Sequence, residues 1–121
     1  MSKILVIDDD NLMRQGITAM LKNANQEVIE ASDGEAGLKA ALAEKPDLIV
    51  SDVNMPHMNG LEMLEQLRLD AWGKTVPVVI LTSDESSSSI NQALEAGVTS
   101  YFAKNLDPAS LTQQILQQIP A

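Results

Sequence analysis

The chain has 121 residues and no cysteine, which fits one compact domain and excludes a disulfide framework, thiol catalysis and thiolate zinc sites. Hydrophobic residues make up 45% of the chain and charged residues 21%, an ordinary globular composition that argues against disorder. The net charge is −9, and lysine and arginine form no cluster, so the chain lacks the electrostatic surface of a nucleic-acid binder. The acidic balance is compatible with a solvated surface and with a docking surface.

No apolar stretch approaches the length that spans a bilayer. Residues 1–3 run directly into a strand-like sequence, which leaves no room for a signal peptide. We therefore expect a cytoplasmic protein without membrane contact. No internal repeat or domain boundary is visible, so we expect a single domain over residues 1–121.

Apolar runs alternate with helical patterns five times, strand first, which predicts an α/β fold with a parallel sheet. The predicted strands and helices alternate in chain order at 4–7, 13–21, 28–29, 34–45, 48–50, 60–69, 78–81, 90–97, 101–102 and 108–119. The first, third and fourth strands, at 4–7, 48–50 and 78–81, are continuous and mostly β-branched, as expected of central strands covered on both faces. The shorter, more polar strands at 28–29 and 101–102 are expected at the edges.

Apolar residues at helical spacing mark the faces expected to pack on the sheet. These faces consist of Met13, Gly16, Ile17, Met20 and Leu21; Leu38, Ala41 and Leu42; Met63, Leu64 and Leu67; Ile90, Ala93, Leu94 and Gly97; and Leu111, Ile115 and Ile119. We interpret the methionines among them as core filling rather than a cofactor site.

Capping residues precede several of these helices. They are Asp10, with Asn11 competing for the same cap, then Asp33 or Ser32, the run 84–87, and Asp107 before Pro108. The serines at 86–89 have poor helix propensity, so we expect the first turn of the fourth helix to fray.

The residues that end the strands carry the chemistry, because ligands of an open parallel sheet bind beyond the carboxyl ends of its strands. These residues are Asp8, Asp9 and Asp10 after the first strand, Asp52 after the third, Thr82 and Ser83 after the fourth, and Lys104 after the fifth. Crowded carboxylates need cations to balance them, and Lys104 and a bound divalent metal are the two available. Oxygen ligands favour Mg²⁺, with Mn²⁺ as the alternative. A carboxylate, a metal, a hydroxyl and a lysine around one point predict phosphoryl transfer.

The chain resembles the receiver domains of bacterial two-component response regulators, including the single-domain chemotaxis type, over essentially its whole length. The matching motifs are Ile4-Leu5-Val6-Ile7-Asp8-Asp9-Asp10, Asp52-Val53-Asn54-Met55-Pro56-His57-Met58-Asn59-Gly60-Leu61-Glu62, Ile80-Leu81-Thr82-Ser83 and Tyr101-Phe102-Ala103-Lys104. Their order and spacing agree along all of the βα units. The resemblance implies a flavodoxin-like, doubly wound sheet of five parallel strands in the order 2-1-3-4-5, with helices on both faces.

The resemblance also implies a phosphoacceptor and a metal site. Asp52 would accept a phosphoryl group from a phosphohistidine on a sensor kinase or phosphotransfer protein. Asp9 and Asp52 would ligate Mg²⁺ together with the backbone carbonyl of Asn54, and Asp8 would hold a water of the ion.

A switch is implied by the same resemblance. Lys104 would pair with Asp52 and later with a phosphoryl oxygen. Thr82 would move to hydrogen-bond another phosphoryl oxygen, and Tyr101 would rotate inward behind it. The fourth helix, fifth strand and fifth helix would present the result to a downstream protein or fused effector domain, and a homodimer through this face is left open. The domain itself would contact no nucleic acid.

Some positions depart from the family or have no assigned role. Lys104 is followed by Asn105 where the family has a proline after a cis peptide, and a cis bond without proline costs about 2.5–4 kcal/mol, so we expect trans. Asn59 replaces an acid without an expected change of function. We interpret His57 as a solvated loop residue rather than a relay or metal residue, and Trp72 as packing at the end of the third helix rather than anchoring a partner.

Other functions remain open at this point. The domain would phosphorylate itself and lose phosphate slowly, without turning over external substrates. One alternative is an interaction module that signals without phosphate. Another is a metal-dependent phosphohydrolase, against which the chain offers no cap domain and no second general acid. A flavin site is disfavoured, because the loop after the first strand is acidic where a phosphate-binding loop is needed.

Overall fold

The structure, a computed structural model, describes residues 2–83 and 87–120 and shows five parallel strands that alternate with helices. In chain order these elements are β1 (Lys3–Ile7), α1 (Asn11–Asn23), β2 (Glu27–Ala31), α2 (Gly34–Glu44), β3 (Leu48–Asp52), α3 (Gly60–Leu69), β4 (Val78–Thr82), α4 (Ser87–Ala96), β5 (Ser100–Ala103) and α5 (Pro108–Leu116), with a short 3₁₀ helix (Trp72–Lys74) after α3. The strand order is β2-β1-β3-β4-β5, with all pairs parallel. The predicted doubly wound fold is confirmed, with β2 and β5 at the edges.

Two hydrophobic cores lie on opposite faces of the sheet, because successive side chains of a strand point to opposite sides. Under α1 and α5, the buried core consists of Ile4, Val6, Ile17, Leu21, Leu48, Val50, Val79, Leu81, Leu111 and Ile115. Under α2, α3 and α4 it includes Leu5, Ile7, Ala41, Ile49, Met63, Leu64, Leu67, Val78, Ile80 and Ala96. The methionines of the predicted helix faces pack in or against these cores, as expected.

Helix caps fall where the sequence predicts them. Asp10 caps α1 and Asp33 caps α2, each through its side chain, so the competing candidates Asn11 and Ser32 do not act as caps. Asp107 caps α5, with proline at the first helical position. Within the predicted cap run 84–87, residues 84–86 lie outside the described part of the chain.

The last helix is shorter than predicted. α5 ends at Leu116 rather than at 119, and the chain continues in turns in which Gln118 and Ile119 donate to carbonyls three residues back. Pro120 accounts for the exclusion of Ile119 from the helix, because the residue before proline is disfavoured in helical conformation. Ile119 nevertheless packs against the core, as predicted.

Four residues assigned to the sheet-facing sides are exposed instead. Leu94 is 59% exposed and Leu42 is 39% exposed, and Gly16 and Gly97, the latter just past the end of α4, also lie at the surface. Each is the direct neighbour of a buried residue, and one residue turns a helix by about 100°, so the apolar faces are narrower than the sequence pattern suggests. No helix in the described ranges has the length and apolar character that crossing a membrane requires.

Candidate functional site

Parallel pairing brings the predicted site residues to one rim of the sheet. Asp8, the first residue after β1, lies beside Asp52, the last residue of β3. On the other side of Asp52, Thr82 ends β4 and Lys104 follows β5. The expectation that separate strand ends converge is therefore confirmed for these four residues.

Asp8, Asp9 and Asp52 form an acidic cluster, in which one carboxylate oxygen of each residue lies within 4.8 Å of the others. Asp8 and Asp52 are buried, with exposed fractions of 1% and 7%, whereas Asp9 is exposed. Oδ1 of Asp8 accepts a hydrogen bond from the backbone N–H of Asp10 at 2.9 Å. Oδ2 of Asp8 is buried and receives no hydrogen bond from the described residues. The Lys104 ammonium contacts this oxygen only as an ion pair at 3.5 Å, so a buried anionic oxygen keeps capacity for a further cation or water.

Lys104 is the cation of this cluster. Its Nζ lies 2.9 Å from Oδ1 of Asp52 and 3.5 Å from Oδ2 of Asp8. The backbone N–H of Lys104 donates to the carbonyl of Thr82 at 2.9 Å, which extends the β4–β5 ladder and fixes the start of the side chain. The described chain contains no cis peptide, so the bond to Asn105 is trans, as predicted, and Lys104 still reaches Asp52.

The pKa shifts reflect an excess of negative charge in the cluster. Burial raises the pKa of Asp8, and Asp52 and Asp9 add to this rise, while the Asp10 N–H and Lys104 only partly offset it. Burial alone would lower the pKa of Lys104, but hydrogen bonding to Asp52 and the charges of Asp52 and Asp8 raise it overall. One ammonium group therefore serves more carboxylates than it can neutralise.

The loop after β3 holds Asp52 in place. The backbone N–H of Val53 donates to Oδ1 of Asp52 at 2.7 Å, the same oxygen that faces Lys104. Gly60, the first residue of α3, donates to the carbonyl of Val53 at 2.8 Å. A Cβ at Gly60 would collide with the carbonyl oxygen of Asp52. Only glycine therefore lets α3 start this close to the strand end.

A cavity of about 200 Å³ lies behind the rim, between β4, β5, α4 and the loop after β3. Thr82, Tyr101 and Asn54 line it together with apolar residues of α4. Thr82 is buried, Tyr101 is half-buried against the core, and Asn54 is exposed. The two predicted switch residues thus share one space, whereas Asn54 enters the site through the loop.

The residues without an assigned role behave as expected. His57 is exposed, at a positive φ of 69°. Trp72 packs partly buried against the core just after α3. Asn59 and Glu62 form a reciprocal capping box at the start of α3, and since asparagine caps a helix as well as aspartate does, Asn59 keeps the cap that an acid would make.

Sequence reasoning missed Arg14 of α1. Its Nη1 donates to the backbone carbonyl of Asp8 at 2.7 Å and its Nη2 to Oδ1 of Asn11 at 2.7 Å. Its Nε pairs with Oε1 of Glu30 on β2 at 3.0 Å. The sequence holds one signal for this role: Arg14 lies three residues before the buried Ile17, on the apolar face of α1, where a charged residue needs buried partners.

Arg68 of α3 was missed in the same way. Its guanidinium donates to the carbonyls of Gly73, Val76 and Gly97 at 2.7 to 3.1 Å. Burial lowers the pKa of Arg68. Gly97 has a φ of 93°, a conformation that glycine adopts without strain. Arg68 therefore joins α3 to the end of α4, away from the acidic cluster.

Known proteins share this fold. Residues 4–116 match the family model of the response regulator receiver domain. The nitrate/nitrite response regulator protein homolog of Haemophilus influenzae is 37% identical over 115 residues, covering 93% of this chain and 54% of that protein. The crystallised chemotaxis response regulator CheY4 of Vibrio cholerae aligns with a TM-score of 0.93 at 32% identity, covering 98% of this chain and 99% of that one.

A further solved structure contains a metal. It is the receiver domain of the sensor histidine kinase PA1611 of Pseudomonas aeruginosa, with a magnesium ion coordinated in the active site cleft. Its TM-score is 0.90 at 26% identity, and the alignment covers 99% of this chain and 98% of that one. The chain thus spans about half the length of the Haemophilus relative and nearly all of both solved chains. It belongs to the response regulator receiver domain family of two-component signal transduction.

Proposed function

We propose that this receiver domain accepts a phosphoryl group on Asp52 from a phosphohistidine of a sensor kinase or phosphotransfer protein. The observation that carries the proposal is the fixed Asp52 carboxylate. Its Oδ1 faces both the Lys104 ammonium and the Val53 N–H, so we assign Oδ2 as the nucleophile. A carboxylate held in one orientation at a rim open to a partner is suited to attack on phosphorus.

In the transfer step, covalent bonds change only at Asp52 and at the phosphohistidine of the donor. The Asp52 oxygen forms a bond to phosphorus while the nitrogen–phosphorus bond of the donor breaks, and that electron pair returns to the imidazole. The product is an acyl phosphate on Asp52. Lys104 then pairs with a phosphoryl oxygen, and Thr82 donates its hydroxyl to another, because both lie on the same rim.

The acidic cluster fits a divalent cation. Its donors are all oxygens, and the buried Oδ2 of Asp8 lacks a hydrogen-bond donor in the described chain, which suits Mg²⁺, with Mn²⁺ as the alternative. We assign Asp9, Asp52 and the backbone carbonyl of Asn54 as ligands, and Asp8 as the acceptor for a water of the ion. When bound, the ion supplies positive charge that balances the carboxylates and the incoming phosphoryl oxygens. The magnesium ion of the PA1611 receiver domain supports this assignment.

The new phosphate changes the output face through Thr82. Phosphorylation adds charge and acceptor oxygens, which favour movement of the Thr82 hydroxyl towards Asp52. The shared cavity of about 200 Å³ then gives Tyr101 room to turn inward. The surface of α4, β5 and α5 would carry this change to a downstream protein or to a fused effector domain, and a homodimer through the same face is compatible with it. Any contact with nucleic acid would need another domain.

Mass spectrometry tests the proposal. Incubation with Mg²⁺ and a small phosphodonor should add one phosphate to the wild type, and Asp52→Asn should remain unmodified. Asp47→Asn, which changes an exposed aspartate at the opposite end of β3, should be phosphorylated normally. A wild type without any adduct would contradict the proposal.

Two other functions are separated by direct assays. An interaction module that signals without phosphate would bind its partner equally as wild type and as Asp52→Asn. The short distance from Lys104 to Asp52 weighs against that alternative, because the Asn105 departure leaves the pair intact. Receiver domains are signalling modules, and we expect only slow loss of the phosphate on Asp52. Repeated turnover of a phosphomonoester would indicate a phosphohydrolase instead. The cytoplasmic location stays a prediction.

A further inference from the structure

We propose that Arg14 is a positioning residue for the metal end of the site, because it fixes the peptide that joins Asp8 to Asp9. In this role Arg14 directs the Asp9 carboxylate towards Asp52 and so sets the affinity for a divalent cation. The inference rests on the proposed function of the acidic cluster and concerns a residue outside it.

The Arg14 guanidinium is held by three different acceptors. Nη1 donates to the carbonyl of Asp8, Nη2 to the side chain of Asn11, and Nε pairs with Glu30. The side chain is only 13% exposed. Because the guanidinium is planar and rigid, contacts on all of its nitrogens leave it one orientation.

The carbonyl that Arg14 binds belongs to the peptide between Asp8 and Asp9. A peptide unit is planar, so a fixed Asp8 oxygen also fixes the direction in which the chain enters Asp9. The N–H of Asp8 donates to Ala31 on β2 at 3.1 Å, so the peptide before Asp8 is held as well. Both backbone units next to Asp8 are therefore anchored from outside the cluster.

Asp9 depends on this anchoring more than its neighbours do. Its carboxylate is exposed, and within the described residues no hydrogen bond or ion pair orients it, whereas Asp8 is oriented by Asp10 and Asp52 by Val53. The backbone alone therefore places the Asp9 carboxylate within 4.8 Å of the other two.

Loss of the positive charge of Arg14 and loss of its positioning contacts should change the affinity for a divalent cation in opposite directions. A binding measurement can therefore separate the two effects. Arg14 is a cation near a cation site, so removing its charge would strengthen divalent binding if electrostatics dominated. Glu30 already pairs with that charge at 3.0 Å, so we expect positioning to dominate. Loss of groups that orient metal ligands typically weakens affinity by about 10-fold to 100-fold.

The experiment measures the dissociation constants of Mg²⁺ and Mn²⁺ by titration calorimetry, well below the melting temperature. Arg14→Met, which keeps an apolar stem of similar length, should weaken binding about 10-fold or more. Arg14→Lys should show an intermediate loss, because one ammonium cannot reach all three acceptors. Phosphorylation of Arg14→Met should approach the wild-type rate at saturating Mg²⁺.

Arg68→Met is the matched control. Arg68 is also a partly buried arginine that binds backbone carbonyls, but it lies away from the cluster. The Arg68→Met variant should have a lower melting temperature and unchanged dissociation constants for Mg²⁺ and Mn²⁺. If Arg14→Met does not fold, Arg14→Lys decides the question alone.

Two failures are distinguishable. A wild type that binds neither cation would overturn the proposed metal site and the role of Arg14 with it. A wild type that binds them, with unchanged or tighter binding in the Arg14 variants, would overturn the role of Arg14 only.

Discussion

The Nζ of Lys104 lies 2.9 Å from Oδ1 of Asp52, although Asn105 stands where related receivers have proline. The contact is possible because β5 pairs with β4 up to the residue before Lys104, and the backbone N–H of Lys104 itself binds the Thr82 carbonyl. The strand ladder, rather than the residue that follows, therefore determines how Lys104 enters the site.

Lys104→Met should destabilise the domain by about 1–3 kcal/mol in the absence of divalent ions, because it removes the cation that pairs with the buried carboxylates of Asp52 and Asp8. The Lys104 ammonium is held by Asp52 and Asp8 with a raised pKa, so the contribution persists through neutral pH and is lost only as the pH rises through that value. Urea unfolding at pH 7 in chelator measures it. Lys39→Met, which removes an exposed helix pair, should cost less than about 0.5 kcal/mol. Equal effects of both variants would contradict the account.

Asp8→Asn should have the opposite effect. Burial raises the pKa of Asp8, so its ionised form opposes folding, and that cost disappears as the pH falls through the raised pKa towards the unfolded value of 3.8. Without Mg²⁺ the variant should gain on the order of 1 kcal/mol at pH 7.

Adding Mg²⁺ should stabilise the wild type more than Asp8→Asn, so the difference between their free energies of unfolding should narrow. Paired denaturation curves with chelator and with Mg²⁺ measure both effects. An Asp8→Asn variant less stable than the wild type in chelator would contradict the electrostatic interpretation of the cluster.

Gly60→Ala should destabilise the domain by about 1–3 kcal/mol and slow phosphorylation, because a Cβ there collides with the Asp52 carbonyl. Gly16→Ala is the matched control, since nothing lies within 4 Å of the added Cβ on the exposed side of α1. That variant should gain about 0.5–1 kcal/mol from helix propensity. In thermal unfolding and phosphorylation assays, Gly60→Ala should therefore melt at a lower temperature and react more slowly than Gly16→Ala.

Asp107→Asn should remove a pH-dependent part of the stability. The Asp107 side chain accepts hydrogen bonds from Ser110, which lower its pKa. A lowered pKa stabilises the fold above the unfolded value of 3.8, and this contribution is lost as the pH falls through the folded value. Asparagine keeps the cap but does not titrate. Unfolding curves from neutral pH downward should converge for the two proteins, and parallel curves would contradict the prediction.

The strand positions and the acidic rim could be predicted, because both depend on local patterns. Buried parallel strands are continuous apolar runs, and the residues that end them must meet at one edge. Asp8, Asp52, Thr82 and Lys104 converge for that reason.

The arginine contacts could not be predicted, because they include backbone carbonyls, those of Asp8 and Gly73 among them, that face Arg14 and Arg68 only after folding.

The apolar faces of the helices were predicted too wide. One residue rotates a helix by about 100°, so Leu94, next to the buried Ala93, reaches solvent. The apolar pattern alone does not show which of two adjacent apolar residues faces the sheet.

Mapping the phosphorylated residue tests the central claim most directly. After reaction with Mg²⁺ and a small phosphodonor, borohydride reduction converts an aspartyl phosphate to homoserine, which peptide mass spectrometry locates in the sequence. We predict homoserine at position 52 alone, and none when Mg²⁺ is removed. Homoserine at another aspartate, such as Asp8 or Asp9, or none in the presence of Mg²⁺, would contradict the assignment of Asp52 as the phosphoacceptor.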